Sequence, residues 1–382
     1  MVYLDNAATS FPKPEEVYTA IDKCLREFCA NPGRGGHRMA LASARAVMEA
    51  REEISQFFNI DDPLRICFTK NATEALNIAI KSFLSAGDHV ITTCMEHNSV
   101  IRPLKGLEKD KGIELTILEE DDPYGLISPE AFRKAIKENT KLIISTLSSN
   151  VNGIIMPVKE IGRIAREHNI VFLLDASQGA GTIGIDVKEM NIDLLAFPGH
   201  KGLLGPQGTG GLYVRQGLSV KTLLEGGTGS SSIKLIQPQD MPDYLESGTL
   251  NTPGIIGLGA GIRFIRRLGI DYIRSHKNNL VKNLVNGIKD IKGIKLYSSD
   301  DYENNSGIVA LNIGNVNSNQ VSYELDKNFD IATRGGLHCS PLAHKKLATL
   351  EQGIVRLSVG VFNTVEEIKY TINALKRISE LI

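Results

Sequence analysis

Short runs of apolar and β-branched residues, bounded by turn formers, alternate along most of this sequence with longer segments whose apolar positions recur at helical spacing. That alternation leaves few architectures open. Parallel strands can be joined only by crossovers long enough to hold a helix, so the pattern predicts an α/β fold with a largely parallel sheet flanked by helices. The strands are predicted at Arg65–Thr69, His89–Thr93, Glu114–Leu118, Leu142–Thr146, Val171–Asp175, Leu194–Ala196 and Gly211–Val214. Helices are predicted at Pro14–Phe28, Leu41–Phe57, Glu74–Phe83, Pro129–Lys137 and Val158–His168. Ser128-Pro129-Glu130 and Thr73-Glu74 supply a capping oxygen or a proline before an acidic first turn.

After about Pro253 the texture changes to a long helix, Ile255–Leu268 continuing into Tyr272–Ile288, then strand-like Gly307–Ile313 and Gly353–Ser358 and a closing helix from Val365. That reads as a smaller α+β unit. Glu225–Asp243, rich in Gly, Ser, Gln and Pro, reads as a surface loop near a site.

Composition narrows the function. With 43 Lys+Arg against 44 Asp+Glu in 382 residues, the net charge of −1 gives no footprint for nucleic acid or an anionic membrane. A small-molecule substrate is expected. The five cysteines are scattered and form no C-x-x-C pair, which argues against disulfides or a structural zinc and for a reducing cytoplasm. No metal site is expected. The opening MVYLDNAATS lacks the basic start and apolar run of a signal peptide, and no apolar stretch reaches the roughly 18 residues of a membrane helix.

The residues that could carry chemistry fall at predicted strand ends. Gly199-His200-Lys201 closes the strand at Leu194–Ala196 and enters a glycine-rich turn. A lysine desolvated there has a lowered pKa and becomes a nucleophile toward a bound carbonyl; an ordinary exposed turn lysine is the alternative. Asp175 ends the strand Val171–Asp175, where open α/β sheets collect ligands. It suits a pyridinium nitrogen, or equally a helix N-cap. Ala72 and Thr73 open a helix whose free amides and Thr73 hydroxyl could grip a phosphate, without a Walker A pattern, and a plain cap explains them too. His97 could stack on a cofactor ring or face solvent. Asn150 could offer its amide to a ligand or serve the turn Ser148–Gly153. Cys339 lies in Arg334-Gly-Gly-Leu-His-Cys-Ser-Pro, a loop in which His338 and Arg334 favour a reactive thiolate, whereas Cys24, Cys67 and Cys94 read as buried hydrophobes. Arg356, between apolar neighbours, could hold a substrate carboxylate with its fork.

In this order the strings Tyr3-Leu-Asp-Asn-Ala-Ala-Thr9, Thr73-Glu-Ala, Glu96-His-Asn-Ser, Asp175-Ala-Ser-Gln, Gly199-His-Lys, Glu246-Ser-Gly-Thr-Leu-Asn and Val355-Arg-Leu-Ser span nearly the whole chain. Together they resemble the cysteine desulfurase and selenocysteine lyase branch of the class V aminotransferases, pyridoxal-phosphate (PLP) enzymes of fold type I. The resemblance implies a large domain over 15–253 with a mostly parallel seven-stranded sheet, and a smaller domain from 1–14 and 254–382. It implies that Lys201 carries PLP, Asp175 pairs with the pyridine nitrogen, Gln178 bonds the phenolic oxygen and His97 stacks on the ring. Ala72, Thr73 and His200 would hold the phosphate, with Thr249 contributed by the second subunit of a homodimer. Asn150, Arg334 and Arg356 would bind substrate, and Cys339 would form the persulfide, giving L-alanine from L-cysteine and sulfur for a possible acceptor protein. The short loop before Cys339 looks closer to the Suf-type enzymes.

Three features depart from the family pattern. Pro198 stands where many relatives have a phosphate-binding serine, Gly335-Gly336-Leu337 replaces a more usual Thr-Gly-His, and the segment Asn31–His37 is richer in glycine. The alternatives on the same scaffold are a selenocysteine lyase, a cysteine-sulfinate desulfinase and an aminotransferase. A non-catalytic phosphate- or nucleotide-binding protein, or a sulfur carrier using Cys339 alone, stands further off.

Overall fold

In the computed structural model, which describes residues 1–33 and 35–381, the alternation becomes alternating strands and helices. Arg34, within the glycine-rich segment, lies outside the described residues. β1 (Val2–Tyr3) precedes α1 (Glu15–Lys23), which runs into a π-helical turn at Cys24–Phe28, and α2 (Arg38–Phe57) follows. Then come β2 (Ile66–Thr69), α3 (Ala72–Phe83), β3 (His89–Thr93), α4 (Asn98–Lys111), β4 (Glu114–Leu118), α5 (Pro129–Ala135) and β5 (Thr140–Thr146). α6 (Val158–Glu167), β6 (Val171–Asp175), β7 (Leu194–Pro198) and β8 (Gly210–Val214) complete the alternating part. Beyond it lie α7 (Thr252–Leu268), α8 (Ile270–Ile288), β9 (Ile294–Leu296), β10 (Ile308–Ile313) and α9 (Ser318–Phe329). β11 (Ile331–Ala332), α10 (Pro341–Lys346), β12 (Val355–Ser358) and α11 (Val365–Leu381) close the chain.

β2 to β8 form one seven-stranded sheet in the order β2-β8-β7-β6-β5-β3-β4. Only β8 runs against its neighbours, so the sheet is mostly parallel, as expected. β2, β3, β7 and β8 are buried at every position, which is why they read as continuous apolar or β-branched runs without alternation. One face packs on α2, α5, α6 and α7 and the other on α3 and α4. The carboxyl ends of β2, β3, β5, β6 and β7 therefore open on one edge, bringing Asn71, His97, Asn150, Asp175 and Lys201 to a common side.

The later elements form an antiparallel sheet, β12-β10-β9, packed on α8, α9 and α11, beside the parallel pair β1–β11. α7 and α8 are separate helices, broken at Gly269, whose φ is 90°. Glycines let α7 settle against the cleft side of the sheet: a Cβ at Gly261 would lie 2.5 Å from Leu203 O, two residues past Lys201. A bidentate buried ion pair, Arg51 with Glu246 at 2.9 Å on both forks, ties α2 to the segment after the 225–243 loop. Glu246 also accepts from Phe68 N at 2.6 Å, so its place in the sequence motif is structural.

Three helices, α4, α9 and the six-residue α10, were not legible in the sequence. α4 buries Val100, Ile101, Leu104 and Leu107, but Pro103 and a charged C-terminal half dilute its apolar stripe. α9 buries only Val321 and Leu325 among its apolar residues, too narrow a stripe to stand out. Among the described residues no helix is long and apolar enough to cross a membrane, and no cluster of three potential metal ligands occurs.

Candidate active site

Lys201 is positioned by a turn that side chains at its glycines would not allow. A Cβ on Gly199 would meet Thr209 Oγ1 at 2.1 Å, so only glycine lets the Gly199 N–H reach Thr209 O at 2.8 Å. Leu204 N–H donates to Lys201 O at 2.9 Å, and the Ser10 hydroxyl donates to the same oxygen at 2.8 Å. Burial pushes the Lys201 amine down to about 8; the Asp175 charge opposes this, and Arg356 and Arg334 reinforce it. An amine with that pKa is roughly a tenth deprotonated at pH 7, far more than an ordinary lysine, as a nucleophile or base requires. Burial first, then Lys201 and Lys13, pushes His200 down to about 4. Its Nδ1 is buried without a protein partner.

Asp175 is 2% exposed at the end of β6, and its Oδ1 accepts from Ser177 N at 2.9 Å. His97 caps α4, its Nδ1 accepting from Ser99 N at 3.1 Å. Burial pushes its imidazole down to about 4 despite the nearby Asp175 charge, so the ring is neutral and able to stack. Gln178 Nε2 donates to Ala7 O at 2.9 Å. These groups line a single cleft with Ala72, Thr73, Asn150, Pro198, His200 and Lys201. Its cavity volume is about 180 Å³, and it opens to solvent.

The Cys339 loop borders this cleft in a defined conformation. His338 and Cys339 both have left-handed backbones, at φ 49° and 59°. For residues other than glycine this costs about 1–3 kcal/mol each and needs external bonds to hold it. Those bonds are present: Asn98 N–H donates to Cys339 O at 2.8 Å, and Asn150 Nδ2 donates to His338 O at 2.7 Å. Ser340 Oγ donates to Asn150 Oδ1 at 2.7 Å. The thiol is exposed, whereas Cys24, Cys67 and Cys94 are buried as expected.

The expectation that His338 lends positive charge to this thiol is overturned. Its ring is buried, Nε2 lies 3.0 Å from Ile354 O, and burial together with Arg356 and His344 pushes it down to about 2, so it is neutral. Arg356 is also committed: Nη2 donates to Asp5 Oδ1 at 2.9 Å and Nη1 to Asn150 O at 2.8 Å, leaving only a buried Nε unpartnered. Arg334 is exposed and bridges Arg356 through backbone bonds of 3.2 and 2.8 Å. Thr249 does not line the cleft of its own chain; it is exposed and lies 3.4 Å from Asn31 Nδ2.

Several cleft-side groups carried no strong mark in the sequence, and three of them bear on the chemistry. Ser99 and Ser177 line the cleft, and Ser99 Oγ lies 2.8 Å from Thr73 Oγ1 and 2.9 Å from His97 Nδ1. Both bring hydroxyls to a cleft in which Pro198 offers none. Each follows a residue already singled out by two positions, which was the available signal. The third, Glu96, lies wholly buried beside the site, with Oε1 accepting from Thr93 Oγ1 at 2.8 Å and Thr146 N at 2.9 Å.

Residues 2–371 match the family model described as aminotransferase class-V. The chain belongs to this family. Among its relatives, a probable cysteine desulfurase of Methanothermobacter thermautotrophicus is 38% identical, over 99% of this chain and 94% of that protein. One of Pyrococcus abyssi is 34% identical over 99% and 94%. Among solved structures, the apo cysteine desulfurase of Thermococcus onnurineus NA1 superposes with a TM-score of 0.94 at 32% identity, covering 100% of this chain and 95% of that one. A cysteine desulfurase (S-sulfonic acid) of Escherichia coli gives 0.90 at 26% identity, with coverage of 100% and 95%.

Class V enzymes of this kind depend on PLP. The cleft fits that group: the start of α3 and the unpartnered His200 Nδ1 suit an anionic phosphate. A buried carboxylate at Asp175 suits a protonated ring nitrogen, and the depressed Lys201 amine suits the cofactor's carbonyl.

Proposed function

We propose that this chain is a PLP-dependent cysteine desulfurase that moves the sulfur of L-cysteine onto Cys339 and releases L-alanine. The observation that carries the reading is the conjunction of a low-pKa lysine facing Asp175 with an exposed cysteine whose loop is bonded to the residue after His97. Bound through Lys201, PLP supplies an electron sink for charge developing at the substrate α-carbon. Ala72, Thr73 and His200 are assigned to the phosphate, Asp175 to the ring nitrogen, Gln178 to the phenolic oxygen and His97 to the ring face. Ser99 and Ser177 are assigned the polar contacts that Pro198 cannot make.

The chain's own residues then divide the work. Lys201 takes the substrate α-proton as general base, since burial leaves its amine able to accept one near neutral pH. Arg356 and Asn150, with Arg334 nearby, receive the substrate carboxylate; Arg356 reaches it by giving up part of its bond to Asp5. The Cys339 thiolate attacks the substrate sulfur, the carbon–sulfur bond breaks, and the electron pair returns to carbon, which is protonated to alanine. The S–S bond so formed leaves one extra sulfur on Cys339, ready for an acceptor protein or a small thiol.

Three further assignments belong to this reading. The chain divides into a cofactor-binding domain over 15–253 and a smaller domain from 1–14 and 254–382, and it works in the cytoplasm as a homodimer. The dimer is supported by the outward Thr249 and by the 225–243 loop, where Ile233, Leu235 and Ile236 are 77–102% exposed. Incubating the PLP-loaded protein with L-cysteine should yield alanine in step with an added sulfur on Cys339, read by mass spectrometry. Alanine from selenocysteine or cysteine sulfinate but not from cysteine, or only with a keto-acid acceptor, would reassign the reaction within the family. Lys201→Ala should lose the visible absorbance of covalently held PLP.

A further inference from the structure

A second cavity, which shares Gln178 with the first, lies at the seam between α8, the loop after β6 and the start of β10. Among the described residues its only charged lining residue is Lys277. Among the described residues Lys277 makes no ion pair, and its one protein acceptor is Thr182 Oγ1 at 2.9 Å. An ammonium has three donors, so two remain for whatever occupies the cavity.

The surrounding chain makes room for this side chain. A Cβ on Gly307 would meet Lys277 Cε at 2.3 Å and Nζ at 2.9 Å, so the lysine stem lies where any other residue at 307 would put its own side chain. The remaining polar lining, including Thr182, Ser306, Ser358 and Gln178, is neutral. Burial pushes the Lys277 amine down to about 8, with no neighbouring charge opposing it. A mostly buried cation without a counter-charge is costly, and an ion pair inside the cavity removes that cost.

We propose that Lys277 and Thr182 form a binding site for one small monovalent anion, a halide or a short carboxylate. Charge fixes the valence, because a single cation among neutral donors matches one negative charge. Space fixes the size: the centre of a water-sized body can range over about 40 Å³, room for about three or four waters at ~10–15 Å³ each or for one small anion. The site is separate from the candidate active site, sharing only Gln178 with its lining. It nevertheless touches the catalytic turn, since a Cβ on Gly181 would lie 2.1 Å from Gly202 O, which puts the Thr182 loop in backbone contact with the residue after Lys201. An anion here therefore ties α8 to the floor of the cleft.

The test is thermal melting of the PLP-loaded protein in sodium chloride, sodium acetate and sodium gluconate at equal ionic strength. Gluconate is too large for the cavity. Chloride, acetate or both should give a saturable rise in Tm of about 1–3 °C over gluconate, the size expected when a ligand exceeds its Kd several-fold. In Lys277→Met that difference should vanish. Equal melting in all three salts, or an unchanged chloride and acetate response in the variant, would overturn the site. Crystals of the unmodified protein soaked in sodium bromide or sodium acetate serve if the variant does not fold: an anomalous bromide peak or acetate density beside Lys277 Nζ supports the site, and the absence of both refutes it.

Discussion

The Asn98 backbone N–H donates to the Cys339 carbonyl oxygen at 2.8 Å, joining the loop that carries the thiol to the first residue of the helix that His97 caps. The Cys339 thiol and the His97 ring therefore share one anchor. Because that bond is made by the main chain, Cys339→Ser leaves it intact. The expected outcome is unchanged cofactor binding and stability within about 0.5 kcal/mol, as for an exposed substitution, with sulfur release from cysteine reduced by at least about 10²-fold. Sulfide production with a reductant, set beside the bound-cofactor spectrum, separates the two. Undiminished sulfide would show that Cys339 is not the acceptor.

Asn150 uses both ends of its side chain on the same loop, donating to His338 O and accepting from Ser340 Oγ, each at 2.7 Å. Removing the amide leaves a buried carbonyl and a buried hydroxyl without partners, at a cost of about 1–3 kcal/mol. It also releases two residues held in left-handed backbone. Asn150→Ala should accordingly lower urea stability by that amount and slow transfer to Cys339 more than it weakens PLP binding. A loss of cofactor affinity with no change in the transfer step would assign Asn150 to ligand contact alone.

The Arg51–Glu246 pair is buried on both sides, at 4% and 5% side-chain exposure. Truncating one partner leaves the other as an uncompensated charge, so Arg51→Met should cost about 3–5 kcal/mol. Replacing both, as Arg51→Met with Glu246→Gln, should recover part of the loss, because no lone charge remains. Equilibrium unfolding of the two single variants and the double variant gives the coupling directly; strict additivity would mean that the pair does not act as a unit.

The seven strands of the large sheet, its mostly parallel character and the residues that follow the strand ends were legible because each signal is local. A buried strand needs an apolar run, and a strand-end ligand group follows it within a few residues, as Asp175, His97 and Lys201 do. What was missed depended on contacts distant in sequence. Nothing near His338 announces that its ring turns inward to Ile354 O, and nothing near Asn150 announces a partner 190 residues away. Arg356 likewise looked free until the fold placed Asp5 beside it. α4 was hidden for a different reason: Pro103 is a breaker by propensity, but the burial of Val100, Leu104 and Leu107 outweighs the one hydrogen bond it removes.

Glu96 gives the site a pH signature. Burial, with the Asp175 charge adding to it, pushes its carboxyl up to about 8, against the pull of Thr146 N–H and the Thr93 hydroxyl. The folded chain thus keeps this proton over a range in which the unfolded chain, titrating near 4.5, has lost it. Stability from this group is fully present below about 4.5 and declines as pH rises, by about 1.4 kcal/mol per unit at most, until the folded carboxyl itself ionises near 8. Glu96→Gln keeps an oxygen for Thr146 N and Thr93 Oγ1 and has no proton to lose. The variant should therefore match the parent near pH 5 and become progressively more stable relative to it toward pH 8. Urea midpoints measured across that interval check the sign, and two parallel curves would show that Glu96 ionises in the folded protein as it does in water.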